Sequence, residues 1–453
     1  MLENHKLMME KRQLYTNIKK LCPRRIKTFI LYLYGFVLVW YSKINETIKR
    51  KNAPKYHREA LSKLKNKSVL RCAFFVSELA DWKCESVYRL MLDHPRFHPM
   101  ILICPVVHLG EDMMASEMKR CEDYFSSNGY DFICAYDKQN NTYYDVKRLK
   151  ADLIFYTTPY VGQSSPLYFI LNNLDVLGIY IPYGIANNIE LSYTYDLLFH
   201  NLLWRYYVET EDHMAYLKKT SRCHGRNGVI TGFPAIENLI DHHKPSFSSW
   251  KSSNPELKRV IWAPHHTIEP EGSVSYSCFL TYAEFMIHIA EKYMDSVQLV
   301  FKPHPLLRQK LELMWGKAQT DSYYRKWAEM PNTSLAEDDY VDLFLTSDAM
   351  IHDSGSFLAE YLYVNKPVMR TLNDIPIEKL YNSFALKCLD HYYFAHDGED
   401  IEVFIQNVIN GIDPLKEQRT KFIDEVLMPK GLPSQNIISD ILDSVDNQIL
   451  YRN

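Results

Sequence analysis

The chain has 453 residues, too many for one hydrophobic core, so we expect at least two domains. Hydrophobic residues at 47% and charged residues at 24% are ordinary for a globular protein and exclude a largely disordered chain. The net charge of −3 conceals an asymmetry, because residues 1–67 carry +13 and the remainder carries −16. A basic arm on an acidic body predicts a polyanionic neighbour, either a membrane or a nucleic acid.

Nine cysteines are spread along the chain without a C-x-x-C pair. Several lie inside apolar runs, as Cys104 does in MILICPVV. This pattern predicts reduced, buried thiols in a cytosolic protein and argues against a disulfide framework or a cysteine zinc site.

The most apolar run is Phe29–Tyr41 (FILYLYGFVLVWY), which lies between two groups of basic residues. Its 13 residues fall short of the roughly 20 that a membrane-spanning helix needs, and no small-residue cleavage site follows it. We therefore expect residues 1–66 to associate with an anionic membrane by lying in the cytoplasmic leaflet. The alternative is an N-terminal helix packed on the protein's own core.

From residue 67 onward, short apolar strands alternate with amphipathic helices. Val69–Val76 is a predicted strand and Glu85–Leu92 a predicted helix, and Met100–Val107 and Glu111–Phe125 repeat the pattern. The later predicted strands of this half are Asp131–Ala135, Asp152–Thr157, Leu177–Tyr183 and Arg205–Glu209. Such alternation predicts an α/β fold with a doubly wound parallel sheet.

A polar, proline-containing stretch at residues 241–258 is the predicted linker, and the alternation resumes after it. The predicted strands of the second half are Arg259–Ala263, Gln298–Phe301, Asp348–Ile351 and Lys366–Arg370. A helix is predicted at Tyr276–Tyr293. The predicted domains are a membrane-associating segment at 1–66, Rossmann-like domains at 67–240 and 259–420, and C-terminal helices at 421–453 that cross back to the first domain.

Three predicted strands of the second half end in loops that carry histidine. The loops contain His265-His266, Lys302-Pro303-His304-Pro305 and His352-Asp353-Ser354-Gly355-Ser356. The carboxyl ends of parallel strands lie along one sheet edge, where such folds bind ligands. A lysine, several imidazoles and a Ser-Gly-Ser turn before a helix suit a phosphate. The alternative is that the serines only cap that helix.

Other chemistries lack their sequence patterns. There is no G-x-x-x-x-G-K-[ST] loop, no G-x-G-x-x-G after the first strand and no G-x-S-x-G nucleophile elbow. No two of these histidines lie four residues apart on one helix, so we expect no metal and no other cofactor. No nucleic-acid motif accompanies the basic arm, so we expect no nucleic-acid partner.

At these motifs the second half resembles the CDP-glycerol glycerophosphotransferase family, which makes teichoic acids and related bacterial surface polymers. Lys302–Pro305 matches the family's K-x-H-P element. His352–Glu360 aligns with its T-D-Y-S-S-x-x-x-D element, with Gly355 and Glu360 as departures. Val229–Pro234 is similar to its T-G-x-P segment. The resemblance implies a two-domain GT-B fold whose C-terminal domain binds a nucleotide-activated donor and whose N-terminal domain receives the acceptor.

The resemblance and the strand-end positions together define the predicted site. The predicted catalytic residues are His304, His265 and His266. The predicted donor-phosphate ligands are Lys302, Asp353, Ser354, Gly355, Ser356 and Glu360. The predicted acceptor-side residues are Glu78, Asp81, Trp82, Tyr183 and Gly184. The family's H-G-x-P histidine aligns with Tyr183, whose ordinary pKa of about 10 makes it a poor base, so Glu78, Asp81 and His266 are alternatives.

The expected function is transfer of an alditol-phosphate or sugar unit from a nucleotide-diphosphate-linked donor to a lipid-linked glycan, in bacterial surface-polymer synthesis. We expect a peripheral protein at the cytoplasmic face of the cell membrane. Phosphoryl transfer and glycosyl transfer by a GT-B enzyme of capsule or O-antigen synthesis both stay open, and a sugar epimerase is more distant. A non-catalytic membrane-bound glycan-assembly subunit is the alternative from another class.

Overall fold

The computed structural model describes residues 24–108, 110–160, 163–240, 244–269, 276–337 and 340–452, with the backbone alone for residues 24–42. The chain divides into two units, residues 1–56 and residues 57–453. The first described element is helix α1 (Arg24–Lys63), which contains Pro54. The side chains of Phe29–Tyr41, on which the predicted membrane association depends, lie outside the described residues. Across the part of the chain that is described, no helix is both long and apolar enough to cross a bilayer.

A seven-stranded, fully parallel sheet, the first sheet, forms the N-terminal half of residues 57–453. The strands of this half are β1 (Leu70–Val76), β2 (Phe97–Ile103), β3 (Phe132–Cys134), β4 (Tyr136–Asp137), β5 (Thr142–Tyr143), β6 (Leu153–Tyr156), β7 (Leu177–Tyr180), β8 (Arg205–Val208) and β9 (Gly228–Ile230). Their order is β3-β2-β1-β6-β7-β8-β9, and β4 and β5 form a separate hairpin. Strand order reverses between β1 and β6, where open α/β sheets bind ligands.

Helices cover both faces of the first sheet, because the strands are buried and apolar on both sides. They are α2 (Glu85–Leu92), α3 (Glu111–Ser127), α4 (Leu191–Tyr195), α5 (Leu198–Leu202) and α6 (Glu211–Thr220), whereas α7 (Glu237–Ile240) packs with Leu239 in the core of the C-terminal half. The polar face of α2 turns outward, while Val87, Tyr88 and Met91 are buried.

A six-stranded parallel sheet, the second sheet, forms the C-terminal half. Its strands are β10 (Lys258–Ala263), β11 (Val297–Phe301), β12 (Thr333–Leu335), β13 (Ala349–His352), β14 (Val368–Thr371) and β15 (Tyr393–Ala395). Their order is β12-β11-β10-β13-β14-β15, with the reversal between β10 and β13. The helices that follow β10 are α8 (Phe279–Lys292), α9 (Leu307–Trp315), α10 (Lys317–Glu329), α11 (Val341–Thr346), α12 (Phe357–Glu360), α13 (Ser383–Leu389), α14 (Gly398–Ile409), α15 (Lys416–Phe422) and α16 (Pro433–Asp446).

The last helix, α16, packs in the core of the first sheet, where Ile437 and Ile441 join Phe74. A buried ion pair between Arg205 on β8 and Asp440 on α16, with 2.8 Å between Nε and Oδ2, fixes this arrangement. Within the predicted linker, described residues 244–258 are partly packed, because the buried Trp250 donates its Nε1–H to Thr346 Oγ1 over 2.8 Å.

The predicted α/β fold with two parallel sheets is confirmed. Several predicted bounds are wrong. The strand predicted at Leu177–Tyr183 ends at Tyr180, shortly before Pro182, which has no N–H for a sheet ladder. The helix predicted from Tyr276 begins at Phe279. The helix predicted after Ser356 is a single turn, α12, that continues as a 3-10 helix at Tyr361–Val364.

Candidate functional site

The carboxyl ends of both sheets border a cavity of about 420 Å³. Its walls are strand-end loops, because loops that follow parallel strands emerge at the same sheet edge. The first sheet contributes Asp81, Lys83, Tyr160, Tyr183, Gly184, Tyr193 and Glu209, among others. The second sheet contributes His265, Tyr276, His304, Tyr340, Gly355, Ser356 and Glu360. Polar groups converging on a partly aromatic cavity are typical of a small-molecule site.

Three histidines, which we call the histidine cluster, stand together at the second-sheet wall. His265 and His266 follow β10, and His304 follows the neighbouring β11. The ring centroids are 4.3 Å apart for His265–His266, 4.9 Å for His265–His304 and 4.2 Å for His266–His304. Parallel pairing of β10 with β11 therefore brings together all three predicted catalytic residues.

Burial and mutual repulsion keep the histidine cluster uncharged. Burial, followed by the charges of His266 and His304, lowers the pKa of His265 to about 2. Burial, followed by His266, Lys302 and Lys310, lowers the pKa of His304 to about 3. Burial and Lys310 also lower the pKa of His266. These neutral imidazoles sit in electropositive surroundings, which favour a bound anion.

Backbone hydrogen bonds decide which ring nitrogen of His265 and His304 carries the proton. The Leu306 N–H donates to His304 Nδ1 over 3.2 Å, and the Thr267 N–H donates to His265 Nδ1 over 3.3 Å. A neutral imidazole that accepts at Nδ1 carries its proton on Nε2. Both rings therefore keep an Nε2–H that can donate to a phosphate oxygen.

The same tautomers bear on metal binding. Ligand atoms of the three histidines lie within 4.8 Å of one another, close enough for a metal site to be considered. A histidine that binds a metal usually donates its other ring N–H to a neighbour. Here Nδ1 of His265 and of His304 accepts a hydrogen bond instead. The histidine cluster therefore fits a phosphate better than a metal ion.

Asp353 lies behind the second-sheet wall and holds two of its backbone segments in place through hydrogen bonds. Its carboxylate oxygens accept the backbone N–H of His265 over 2.5 Å and of Cys278 over 2.6 Å, and the residue is buried. Burial raises the pKa of Asp353 to about 6, although both hydrogen bonds act to lower it. Buried Ser354 accepts the Ser356 N–H on its Oγ over 3.2 Å. Of this turn, Gly355 and Ser356 border the cavity, whereas Asp353 and Ser354 lie behind it.

The two remaining predicted phosphate ligands differ in position, because Glu360 borders the cavity and Lys302 does not. Lys302 is buried, and its Nζ donates to a backbone carbonyl 3.5 Å away. Its charge nevertheless acts on His304, whose pKa it lowers. Glu360 borders the cavity and accepts a hydrogen bond from the Tyr340 hydroxyl. Burial raises the pKa of Glu360, and the ammonium of Lys83 opposes that rise, so this carboxyl group faces a cation from the first-sheet side.

The predicted acceptor-side residues divide between cavity and core. Those that border the cavity are Asp81, Tyr183 and Gly184. The structure does not bring Trp82 there, because it is buried and packs edge-on against Phe74 in the first-sheet core. Glu78 is only partly buried, directly before the 3-10 turn Leu79–Asp81.

Tyr183 stands where the resembling family has its histidine. Burial in the crevice is the main cause that raises the pKa of Tyr183 well above its ordinary value, and the neighbouring Tyr160 raises it further. The two tyrosine hydroxyls are 3.1 Å apart. The Tyr183 phenol therefore keeps its proton at neutral pH and cannot serve as a base.

Three residues at or near the cavity were not predicted from the sequence. Asn187 donates its side-chain N–H to the Gly355 carbonyl over 2.9 Å, across the crevice. Glu209 follows β8 and borders the cavity, and burial raises its pKa to about 8. Arg370 lies in β14 with its guanidinium 4.8 Å from the Tyr381 ring centre. Glu209 and Arg370 could have been found from the sequence, because each is a charged residue at the end of an apolar strand. Asn187 has no such feature in the sequence.

A family model described as CDP-Glycerol:Poly(glycerophosphate) glycerophosphotransferase matches residues 191–385. The match confirms the resemblance inferred from the sequence. It contains the histidine cluster and the turn at residues 353–356, while Tyr183 and Asp81 lie outside it. No curated protein sequence matches the chain.

Solved structures share the fold. The Wall Teichoic Acid Polymerase TagF is 12% identical, with a TM-score of 0.55 over 92% of this chain and 99% of that chain. The S. aureus MnaA-UDP co-structure is 13% identical, with a TM-score of 0.56 over 85% and 99%. UDP-GlcNAc 2-epimerase from Neisseria meningitidis bound to UDP-GlcNAc is 14% identical, with a TM-score of 0.52 over 83% and 100%. At these identities the likeness shows a shared GT-B-like architecture alone.

Proposed function

We propose that the protein is a transferase that moves an alditol-phosphate unit, of the glycerol-phosphate or ribitol-phosphate type, from a nucleotide-activated donor to a hydroxyl of a lipid-linked glycan. The observation that carries this proposal is the pair of neutral Nε2–H donors on His265 and His304, beside Ser356 in one cavity wall. This wall lies within the residues that the family model matches. The diphosphate of such a donor supplies the acceptor oxygens that these groups need.

The reaction breaks one P–O bond and forms another. The acceptor oxygen attacks the phosphorus that carries the alditol, and the bond from that phosphorus to the bridging oxygen breaks. The nucleoside monophosphate leaves with the electron pair. Hydrogen bonds from His265 and His304, with the charge of Lys302 behind them, stabilise the negative charge on the leaving group. Preorganised donors of this kind are usually the largest single contribution to the rate.

CDP-glycerol is the first donor to test. The matching family model is named for it, and a TagF variant was solved after a soak with CDPG. Tyr183, Gly355 and Glu360 depart from the family's elements, so CDP-ribitol belongs in the same test. The acceptor side would be the first-sheet wall. We place the protein at the cytoplasmic face of the membrane, held there as a peripheral protein by residues 1–66.

A donor panel tests this proposal. Purified protein is incubated with CDP-glycerol, CDP-ribitol, UDP-sugars, GDP-sugars and CMP-sugars in the presence of a lipid-linked saccharide, and released nucleotide is quantified. We expect CMP release from a CDP-alditol with covalent extension of the acceptor. Release of UDP or GDP with a sugar transferred would instead assign a GT-B glycosyltransferase that uses the same wall. Absence of both binding and turnover across the panel would refute the transferase and favour a non-catalytic subunit.

A further inference from the structure

The acceptor hydroxyl must lose its proton during transfer, and few groups of the described cavity wall can receive it. His265 and His304 are too weakly basic, as their lowered pKa values show, and His266 is not among the residues that border the cavity. The phenol of Tyr183 holds its proton far above neutral pH. An effective general base has a pKa near the working pH. Among the described residues, the carboxyl groups that border the cavity belong to Asp81, Glu209 and Glu360.

Glu209 and Glu360 are poorly placed to take this proton. The side chain of Glu209 is 3% exposed and has one carboxylate oxygen 3.8 Å from Nδ1 of His213. Glu360 is 5% exposed and already accepts a hydrogen bond from the Tyr340 hydroxyl. A substrate oxygen cannot readily approach a carboxylate that protein atoms enclose. Asp81, which is only partly buried, remains.

The loop that carries Asp81 is anchored on both sides of the crevice. Asp81 ends the 3-10 turn after β1, at the point where strand order in the first sheet reverses. Trp82, the next residue, packs in the first-sheet core. The Lys83 ammonium lies 5.4 Å from the ring centre of Tyr340, which belongs to the second-sheet side. Asp81 is therefore held on the first-sheet wall of the cavity, and His265 and His304 border the same cavity from the second sheet.

Burial, together with neighbouring charged groups, brings the pKa of Asp81 into the neutral range. Burial, followed by the charge of Glu78, raises the pKa of Asp81 to about 7. Lys83 lowers it, and Glu117 on α3 raises it further. Within the described part of the chain, no hydrogen bond to the Asp81 carboxyl group contributes to its pKa, and Asp81 borders the cavity, so a hydroxyl entering there can donate to it.

We propose that Asp81 is the general base that takes the proton of the acceptor hydroxyl, in the place that the resembling family gives to a histidine. The inference rests on the proposed transfer reaction. The acceptor O–H bond breaks, its proton moves to a carboxylate oxygen of Asp81, and its electron pair forms the new bond to the alditol phosphorus. The nucleoside monophosphate leaves toward the histidine cluster, and the proton on Asp81 passes to solvent before the next turnover.

The test compares Asp81→Asn with the wild type at saturating donor. The rate of nucleotide release, kcat, is followed from about pH 5 to about pH 9, where a base of this pKa titrates. For the wild type we expect kcat to rise with pH and level off above about pH 7. Asp81→Asn should lower kcat by about 10²- to 10⁴-fold and abolish this rise. The dissociation constant for the donor, measured by calorimetry, should stay within about threefold, since loss of a base leaves donor contacts intact.

A second variant tests the base without removing it. Glu78→Gln removes a negative charge that raises the pKa of Asp81, so the midpoint of the pH–rate curve should move to lower pH. Asp123→Asn is the matched control, because Asp123 is an exposed carboxyl group paired with Lys119 outside the cavity. Its curve should overlay that of the wild type. Thermal unfolding of each variant checks that it is folded.

Two results would overturn the proposal. One is an Asp81→Asn enzyme whose kcat stays within about threefold of the wild type with the pH-dependent rise intact, because a base normally contributes far more. The other is a Glu78→Gln curve with an unmoved midpoint. If instead the wild type binds and turns over no donor, the proposed transfer reaction itself has failed, so the two failures are distinguishable.

Discussion

At the level of single residues, the hydrogen bonds to Nδ1 of His265 and His304 determine which ring nitrogen can donate to a ligand, which the number of histidines alone does not. They leave an Nε2–H on each ring, and burial keeps both rings uncharged. In the proposed reaction these two neutral donors would bind the diphosphate, and the charges of Lys302 and Lys310, which lower the pKa of His304, would favour the anion. The chemistry of the wall is therefore set by backbone groups that flank the histidines.

The raised pKa of Glu209 predicts how the free energy of unfolding depends on pH. Burial raises its pKa from 4.5 to about 8. Between those values the folded state holds a proton that the unfolded state has released, so the free energy of unfolding falls as the pH rises through this window. Glu209→Gln should remove most of this fall and be more stable than the wild type at about pH 9, by on the order of a few kcal/mol. Urea unfolding at about pH 5 and about pH 9 measures it, and parallel losses in both proteins would contradict the assignment.

At the level of elements, the turn after β13 positions the loops that follow β10. Asp353 accepts two backbone N–H groups, one from His265 and one from Cys278 at the start of α8. The strand end that resembles the family's phosphate element thereby controls where His265 stands.

Replacing this carboxylate tests its structural role. Asp353→Asn keeps the shape but turns an N–H₂ group toward one of the two backbone donors, which leaves that buried N–H unsatisfied. We expect a loss of about 1–3 kcal/mol in the free energy of unfolding and weaker donor binding, because His265 is displaced. Urea unfolding and donor titration measure the two effects. Wild-type values for both would show that the Asp353 contacts are dispensable.

The prediction from sequence agrees best with the structure where a residue's position follows from its place at a strand end. The apolar strands β10, β11 and β13 are plain in the sequence, and the topology of a parallel sheet then brings their histidine-bearing ends together. Trp82 lies in the core and not at the cavity, because its ring packs against Phe125 on α3, a contact that its position in the sequence does not reveal. The strands β12 and β15 were missed, since three residues are too few to display a periodic pattern.

At the scale of residues 57–453, the crevice is closed by contacts between the two sheet regions. Asn187 bonds the Gly355 carbonyl, and Asn382 donates to the Ala186 carbonyl over 2.7 Å. The Lys387 ammonium also pairs with the Asp212 carboxylate over 2.8 Å, and α16 ties the chain's end to the first sheet. Any opening of the crevice would therefore have to break several hydrogen bonds and an ion pair.

Membrane association is a prediction for the N-terminal unit. Residues 24–27 include Arg24, Arg25 and Lys27, and each basic residue near an anionic surface contributes about 1 kcal/mol. The full-length triple variant, with Glu at these three positions, should sediment with phosphatidylserine-containing vesicles far less than the wild type. Vesicles of phosphatidylcholine alone are the control and should bind both proteins weakly. Equal binding of the two proteins to anionic vesicles would refute an electrostatic anchor.

The central claim is that the histidine cluster binds the phosphates of a nucleotide-linked alditol. Calorimetric titration of CDP-glycerol, in the presence of EDTA, into the wild type, His304→Ala and His98→Ala tests it most directly. His98 is exposed on β2, so its loss should leave the dissociation constant unchanged. Loss of the His304 donor should weaken binding by about 10- to 150-fold, the equivalent of one hydrogen bond to a charged group. Wild-type affinity in His304→Ala, or binding that requires a divalent metal, would contradict the account.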